Sequence, residues 1–128
     1  MADSEKITIN MSVVDLGKVD LLVEEGFYAN RTDFIRAAIR SELNRHDDMV
    51  KQSAVRKSMV VGVLHYDRQE LEKKLAAGNR LAVQVIGKLI IADDVPPDLA
   101  AATFDSIKVL GVFEANKAVK EALADRIR

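Results

Sequence analysis

Polar side chains at alternate positions near the N-terminus are the residues best suited to recognising a ligand. Lys6, Thr8 and Asn10 would share one face of an extended strand. Lysine can donate hydrogen bonds to guanine O6 or N7, asparagine can pair with adenine through two hydrogen bonds, and threonine can bond to several bases. The alternative is a solvated strand face, and the elements around the segment must decide between these two interpretations.

A second polar group stands where a helix is predicted to begin. The first backbone N–H groups of a helix have no partner within the helix, and the helix dipole adds positive potential that attracts phosphate. We therefore expect Asn30, Arg31 and Thr32 to contact the phosphates of a nucleic acid. The alternative is an ordinary exposed first turn.

Groups for catalysis and metal binding are sparse. The chain has no cysteine and two histidines, His46 and His65, neither with a clear second ligand beside it in the sequence. Asp93 and Asp94 are adjacent carboxylates, but Asp94 precedes two prolines and is predicted to cap a helix there. No phosphate-binding glycine loop or nucleophile motif is present. We predict no enzyme, no catalytic residue, no metal site and no cofactor.

The composition predicts a folded protein and gives no sign of nucleic acid by itself. Hydrophobic residues make up 48 % of the 128 residues, charged residues 30 %, and the net charge is -1. A DNA-binding function must therefore depend on where individual charges lie. No apolar run is long enough for a membrane span and the N-terminus does not resemble a signal peptide, so we expect a cytoplasmic protein without a membrane partner.

A strand and two helices are predicted to carry the first two polar groups. Residues 6–11 alternate polar and apolar side chains, which is typical of a half-buried strand. Ser12 followed by Asp15 predicts that a helix starts at Val13, and Gly26 can end it. Asn30 is a good N-cap for a second helix with an apolar stripe.

These three elements are too small to form a stable core alone, which predicts a dimer. Two strands would pair antiparallel into a ribbon, and the four helices would close one core beneath it. A two-stranded ribbon fits the major groove of DNA. The predicted dimer core is Ile7, Ile9, Met11, Val19, Val23, Phe34, Ile35 and Ile39.

Residues 6–45 resemble the ribbon-helix-helix family of bacterial transcriptional regulators, which includes the Arc, MetJ and CopG types. The resemblance lies in the strand at 6–11, the run at 22–28 that contains Gly26, and the helix start at 30–36. It implies that residues matching Lys6, Thr8 and Asn10 contact bases and that the start of the second helix contacts phosphate. The nickel-responsive member binds its metal through histidine and cysteine, and that site cannot be built from this sequence.

The C-terminal half contains a glycine-centred pattern that recurs. Gly62, Gly87 and Gly111 lie 25 and then 24 residues apart, each within an apolar-Gly-x-apolar segment. Strands are predicted at 59–66, 81–91 and 107–113, each followed by a capped helix. A small βα repeat would show this period, although three imperfect copies could also arise by coincidence. The predicted core of this part includes Met59, Val61, Val63, Leu89, Ile91, Leu110 and Phe113.

The sequence thus predicts an α+β protein with a ribbon-helix-helix intertwined dimer at 1–46, a linker or helix extension at 47–58 and a βα-repeat domain at 59–128. We expect a transcriptional regulator, acting as a repressor or autorepressor, that binds a double-stranded DNA operator as a homodimer or a tetramer of dimers. The C-terminal domain is expected to serve in oligomerisation, partner binding or effector sensing. Two alternatives stay open: an antitoxin of a toxin-antitoxin pair, and a self-assembling scaffold protein.

Overall fold

The computed structural model describes residues 4–128, which form six helices and three strands. The chain divides into two compact units between Lys51 and Gln52. In chain order the elements are α1 (Val13–Glu24), α2 (Arg31–Arg45), α3 (Asp47–Arg56), β1 (Val60–Tyr66), α4 (Arg68–Ala76), β2 (Leu81–Ile91), α5 (Pro97–Thr103), β3 (Phe104–Glu114) and α6 (Lys117–Ala122). None of the described helices combines the length and the apolar character that crossing a bilayer requires.

Short-range hydrogen bonds set both ends of α1. At the start of α1, the Asp15 N–H donates to Ser12 Oγ at 3.4 Å. At its end, Gly26 adopts a φ of +87°, which lets the Phe27 N–H reach back to the Leu22 carbonyl at 3.0 Å. The predicted start at Val13 and the predicted stop at Gly26 are both confirmed.

The predicted strand at 6–11 is absent from the single chain. These residues form no ladder with any other described segment. A strand is recognised by its hydrogen-bonded neighbour, and the predicted neighbour is the same segment of a second chain. Ribbon formation therefore stays a prediction. Residues 47–56 of the predicted linker form α3, which begins two residues after α2 ends.

The C-terminal unit contains a three-stranded sheet in the order β1-β2-β3, with both neighbouring pairs parallel. Each strand is followed by a helix, as the repeating pattern predicts. The largest difference in boundaries is at β3, which begins at Phe104, three residues before the predicted position, directly after α5; the start of β1 and the end of β3 each differ by one residue. Parallel strands need a crossover connection, and here short helices supply it.

One face of this sheet packs on the helices and forms the core. The core cluster joins alternate residues of the strands to side chains of the helices, among them Leu71 of α4, Leu99 of α5 and Val119 of α6. The one buried polar side chain among the described residues, Thr103, donates its hydroxyl to the Leu99 carbonyl at 2.8 Å. Four of the predicted core positions hold: Met59, Leu89 and Ile91 are buried, and Phe113 is partly buried against the cluster.

For three residues the predicted place in the core is wrong. Val61, Val63 and Leu110 are 63 %, 47 % and 50 % exposed. Successive side chains of a strand point to opposite faces of the sheet. These three lie out of phase with the partly buried residues that face the core, Leu64 and Tyr66 of β1 and Val109 and Phe113 of β3, and so lie on the face opposite the helices.

The three repeated glycines occupy one rung of the sheet. Gly62 pairs with Gly87, and Gly87 pairs with Gly111. Their φ angles are +144°, +137° and +128°, which L side chains rarely adopt. A Cβ on Gly87 would overlap the carbonyl oxygen of Gly62, and one on Gly111 would overlap that of Gly87. The close approach of neighbouring backbones therefore requires glycine at positions 87 and 111, whereas Gly62 is favoured by its positive φ alone, since an added Cβ there meets nothing within 4 Å.

Asp94 does not cap the helix that follows it. That helix, α5, begins after Pro96 and has no side-chain cap. Instead, Asp94 Oδ1 accepts a hydrogen bond of 3.2 Å from the Arg68 N–H at the start of α4. Asp94 therefore caps a helix, as predicted, but the prediction named the wrong helix. The unpaired N–H group that Asp94 satisfies lies 26 residues away in the chain.

Candidate nucleic-acid interface

The segment that precedes α1 exposes both its polar and its apolar side chains. Lys6, Thr8 and Asn10 are exposed, as base-contacting residues need to be. Ile7 and Ile9, which alternate with them, are also 71 % and 58 % exposed. The two isoleucines thus add apolar side chains to the surface of the single chain.

Several of the predicted dimer-core residues line one groove in this unit. It has a volume of about 470 Å³. Ile7 and Ile9 from the N-terminal segment and Ile35 and Ile39 from α2 line it, together with Glu5, Lys6, Thr32 and Arg36. The structure thus places apolar residues of the segment and of α2 around one unfilled space.

The N-terminal unit has almost no core of its own. Among residues 4–51, Val19 alone is buried. Of the other predicted dimer-core residues, Ile39 is 47 % exposed like the isoleucines of the segment, and four are half-buried: Met11, Val23, Phe34 and Ile35. The ring of Phe34 packs edge-on against Tyr28, with centroids 5.0 Å apart.

The start of α2 uses its first polar residue internally. Asn30 Oδ1 accepts a hydrogen bond of 2.8 Å from the Asp33 N–H, and Asp33 Oδ2 accepts one of 2.9 Å from the Ala29 N–H. This reciprocal capping holds the first turn in place. It engages the side-chain oxygen of Asn30, which is an acceptor, and does not use the amide NH₂ group, which is the only donor of that side chain.

Arg31 forms an ion pair with a residue of another helix. Its guanidinium donates to Asp20 of α1 through Nε at 2.7 Å and Nη2 at 2.8 Å. The hydrogen bond, reinforced by the charge of Arg31, lowers the pKa of Asp20, and the same contact raises the pKa of Arg31. The two residues lie 11 positions apart on different helices, so no spacing rule within one helix predicts the pair.

The segment and the start of α2 meet at one place. Lys6 and Thr32 line the same groove, and Thr32 is exposed. Thr8 and Asn10 do not line it. The structure therefore brings one predicted base-contacting residue close to one predicted phosphate-contacting residue and leaves the other polar residues on the outer surface.

The other ionisable residues considered from the sequence form no comparable cluster. Within residues 4–128, no group of three or more His, Cys, Asp or Glu side chains could hold a metal ion. His46 Nε2 lies 4.0 Å from Glu42 Oε2 on the surface, and His65 is exposed on β1. Asp93 and Asp94 are both exposed.

Comparison with known proteins gives one result that covers nearly the whole chain. A family model described as the Ribbon-Helix-Helix transcriptional regulator family matches residues 2–120. The match extends through α1 and α2 and includes all three strands of the C-terminal sheet. No curated protein and no solved structure matched the chain.

Proposed function

The chain belongs to the Ribbon-Helix-Helix transcriptional regulator family, and we propose that it is a sequence-specific repressor or autorepressor whose two-stranded ribbon reads the major groove. The resemblance drawn from residues 6–45 is confirmed by the family match. DNA binding and dimerisation are general properties of this family. The repressor role, the bacterial cytoplasm as its location and the assignment of individual residues are the parts that we propose.

The observation that carries the proposal is the missing core of the N-terminal unit. With Val19 as the one buried residue of positions 4–51, this unit buries too little apolar surface to be stable alone. A second copy would cover Ile7 and Ile9 and fill the groove beside Ile35. Each fully buried isoleucine contributes roughly 1.5–3 kcal/mol, so these side chains would supply much of the dimer stability.

Sequence recognition is assigned to the outer face of the ribbon. Once Ile7 and Ile9 turn inwards, alternation directs Lys6, Thr8 and Asn10 outwards, and the two-fold axis presents each of them twice. Their donors and acceptors suit base edges in the major groove. We expect the operator to contain two-fold related bases for the same reason.

Backbone anchoring is assigned to the start of α2. The capped first turn leaves backbone N–H groups at a helix N-terminus, and Thr32 adds an exposed hydroxyl. Arg31 can reach a phosphate while it keeps one hydrogen bond to Asp20, because a guanidinium carries five donors. Asn30 is assigned to this group through its amide NH₂ group and its backbone.

The folded C-terminal unit supports a regulator with a second functional domain. Antitoxins of this fold class are expected to carry short tails that stay disordered until they bind. Here residues 60–122 form a parallel sheet with helices and a buried cluster. A folded domain of this kind suits oligomerisation or effector sensing better than it suits a tail that wraps a toxin.

The test is fluorescence-anisotropy binding to DNA from the protein's own promoter, at two salt concentrations, with an unrelated duplex of equal length as the control. We expect tighter binding to the promoter, and affinity that falls steeply with salt because phosphate contacts release counterions. Equal weak binding to both duplexes would overturn the proposal. Concentration-dependent assembly without DNA binding would favour the scaffold alternative.

A further inference from the structure

One edge of the C-terminal sheet is unpaired and apolar. β1 pairs with β2 on one side, and no other described strand pairs with its second side. Val60 is 48 % exposed, and its neighbours Val61 and Val63 are exposed as well. β1 contains no Lys, Arg, Asp, Glu or Pro. Proteins usually protect an open edge with such residues, because unpaired backbone groups attract another strand.

The opposite edge of the same sheet is protected. Near the start of β3, Ile127 forms a parallel bridge with Ile107. The Ile107 N–H donates to the Arg126 carbonyl at 2.9 Å, and the Arg128 N–H donates to the Ile107 carbonyl at 2.7 Å. β3 also carries three charged residues, Asp105, Lys108 and Glu114. The two edges therefore differ both in cover and in charge.

We infer that the β1 strands of two copies of this chain pair antiparallel, so that two three-stranded sheets form one six-stranded sheet across the dimer. This rests on the dimerisation that the proposed function includes. Each β1 belongs to the same chain as a dimerising N-terminal unit, so the second β1 is present at high effective concentration. β-Branched residues facing one another across an antiparallel pair stabilise it.

The choice of a second β1 over a β3 strand follows from symmetry. Pairing β1 with β1 uses the same surface on both chains and closes as a two-fold dimer. Pairing β1 with β3 would use two different surfaces and would build a ring of several chains or an open filament instead of a two-fold dimer. It would also have to displace the bridge between Ile107 and Ile127. The second copy of β1 is therefore the occupant that both edges favour.

Disulfide crosslinking can test this arrangement, because the natural chain has no cysteine. In an antiparallel two-fold pair, the residue nearest the axis faces its own copy with Cα atoms about 4.5–5.5 Å apart, within the range for a disulfide. We would place single cysteines in the full-length chain and apply a mild oxidant. The positions are Val60→Cys, Val61→Cys, Val63→Cys, Leu64→Cys and His65→Cys, and a mixture of the Val61→Cys and Val63→Cys chains covers an axis at Gly62.

The matched control is Leu110→Cys. Leu110 lies on β3, on the same rung and the same sheet face as Val61, and half of its surface is also exposed. We expect one β1 position, or the mixture, to convert most of the chain into a covalent dimer, while Leu110→Cys stays largely monomeric on a denaturing gel.

Two results would overturn the inference: no efficient crosslink at any β1 position, or an efficient crosslink at Leu110→Cys. Promoter binding is measured on the same preparations. Promoter binding without a β1 crosslink would reject the pairing of the sheets and support the proposed function as a regulator. A β1 crosslink without promoter binding would reject the proposed function and support the pairing of the sheets.

Discussion

The guanidinium of Arg31 donates two hydrogen bonds, of 2.7 and 2.8 Å, to the carboxylate of Asp20 and so links the start of α2 to α1. Both side chains are about half exposed, so solvent screens the pair and its contribution to stability is small. Its larger effect is orientation, because it fixes a cation beside the helix N-terminus that we propose as a phosphate anchor. It also places an anion there, and that anion competes with phosphate.

Replacing Arg31→Ala should weaken binding to every DNA sequence by a similar factor. If Arg31 contacts one phosphate in each chain of the dimer, the slope of log K against log salt should become shallower by about 0.9 per lost contact. Salt titrations of anisotropy on promoter and unrelated DNA measure this slope. Arg45→Ala is the control, since Arg45 is also exposed and paired, with Glu42, at the far end of α2. Equal slopes for the two variants would remove Arg31 from the interface.

The Asp20–Arg31 pair should make a pH-dependent contribution to stability. The pKa of Asp20 lies below its ordinary value of 3.8 in the folded chain, chiefly because Arg31 donates a hydrogen bond to it. A lowered pKa means that the stabilisation is complete above the unfolded pKa and is lost as the pH falls through the folded one. The free energies of unfolding of the natural chain and of Asp20→Asn, obtained from thermal unfolding, should therefore differ by a constant amount from neutral pH down to about pH 4. The two values should converge only below that pH. A difference that fades between pH 7 and pH 5 would contradict this.

Asn10→Ala should relax base preference without unfolding the protein. A bidentate contact between asparagine and adenine discriminates against the wrong base by roughly 1–3 kcal/mol. Competition among operators that each carry one base change measures this preference. Asn79→Ala is the control, because Asn79 is exposed and lies in the C-terminal unit. The ribbon model fails if Asn10→Ala keeps the full base preference of the natural chain.

Ile9→Asp and Thr8→Asp should separate dimerisation from DNA binding. Ile9 is proposed to face the dimer core, where two buried and unpaired carboxylates would be strongly unfavourable. Thr8 is proposed to face DNA, where a carboxylate would repel phosphate but leave the core intact. Sedimentation should show a dimer for Thr8→Asp and its loss for Ile9→Asp, and neither should bind the promoter. A folded monomer from Thr8→Asp would reverse the assigned faces.

Gly87→Ala and Gly17→Ala should change stability in opposite directions. A Cβ at Gly87 overlaps the Gly62 carbonyl, and alanine would have to adopt the φ of +137° found there, which is a strain of order 1–3 kcal/mol before the overlap is counted. A Cβ at Gly17 has no neighbour within 4 Å and lies in α1, where alanine is favoured by roughly 0.5–1 kcal/mol. Chemical denaturation measures both variants. A neutral Gly87→Ala would contradict the close approach of β1 and β2.

Features that depend on nearby residues were predictable from the sequence. Ser12, Gly26 and Asn30 set helix ends through partners within a few positions, and each acts as predicted. Features that depend on distant partners were not. Asp94 caps a helix from 26 residues away, and the partner of Arg31 lies on another helix.

The choice of sheet face was the main error in the C-terminal half. Val61 and Leu110 are apolar, β-branched or large, and flank a glycine, as buried residues of a repeat would. Only the placement of the helices decides which side of the strand is covered. In the candidate interface, the sequence identified Lys6, Thr8 and Asn10 by alternation, and their exposure agrees with the assigned role without testing it.

The glycine rung restricts how the length of this protein can vary. Because Gly62, Gly87 and Gly111 must stay level, a one-residue insertion between Val83 and Gly87 would bring a side chain into a position with no room for a Cβ. The turn at 77–80, between α4 and β2, lies away from the rung and can absorb extra residues. Homologous chains should therefore differ in length at this turn and keep the strands constant.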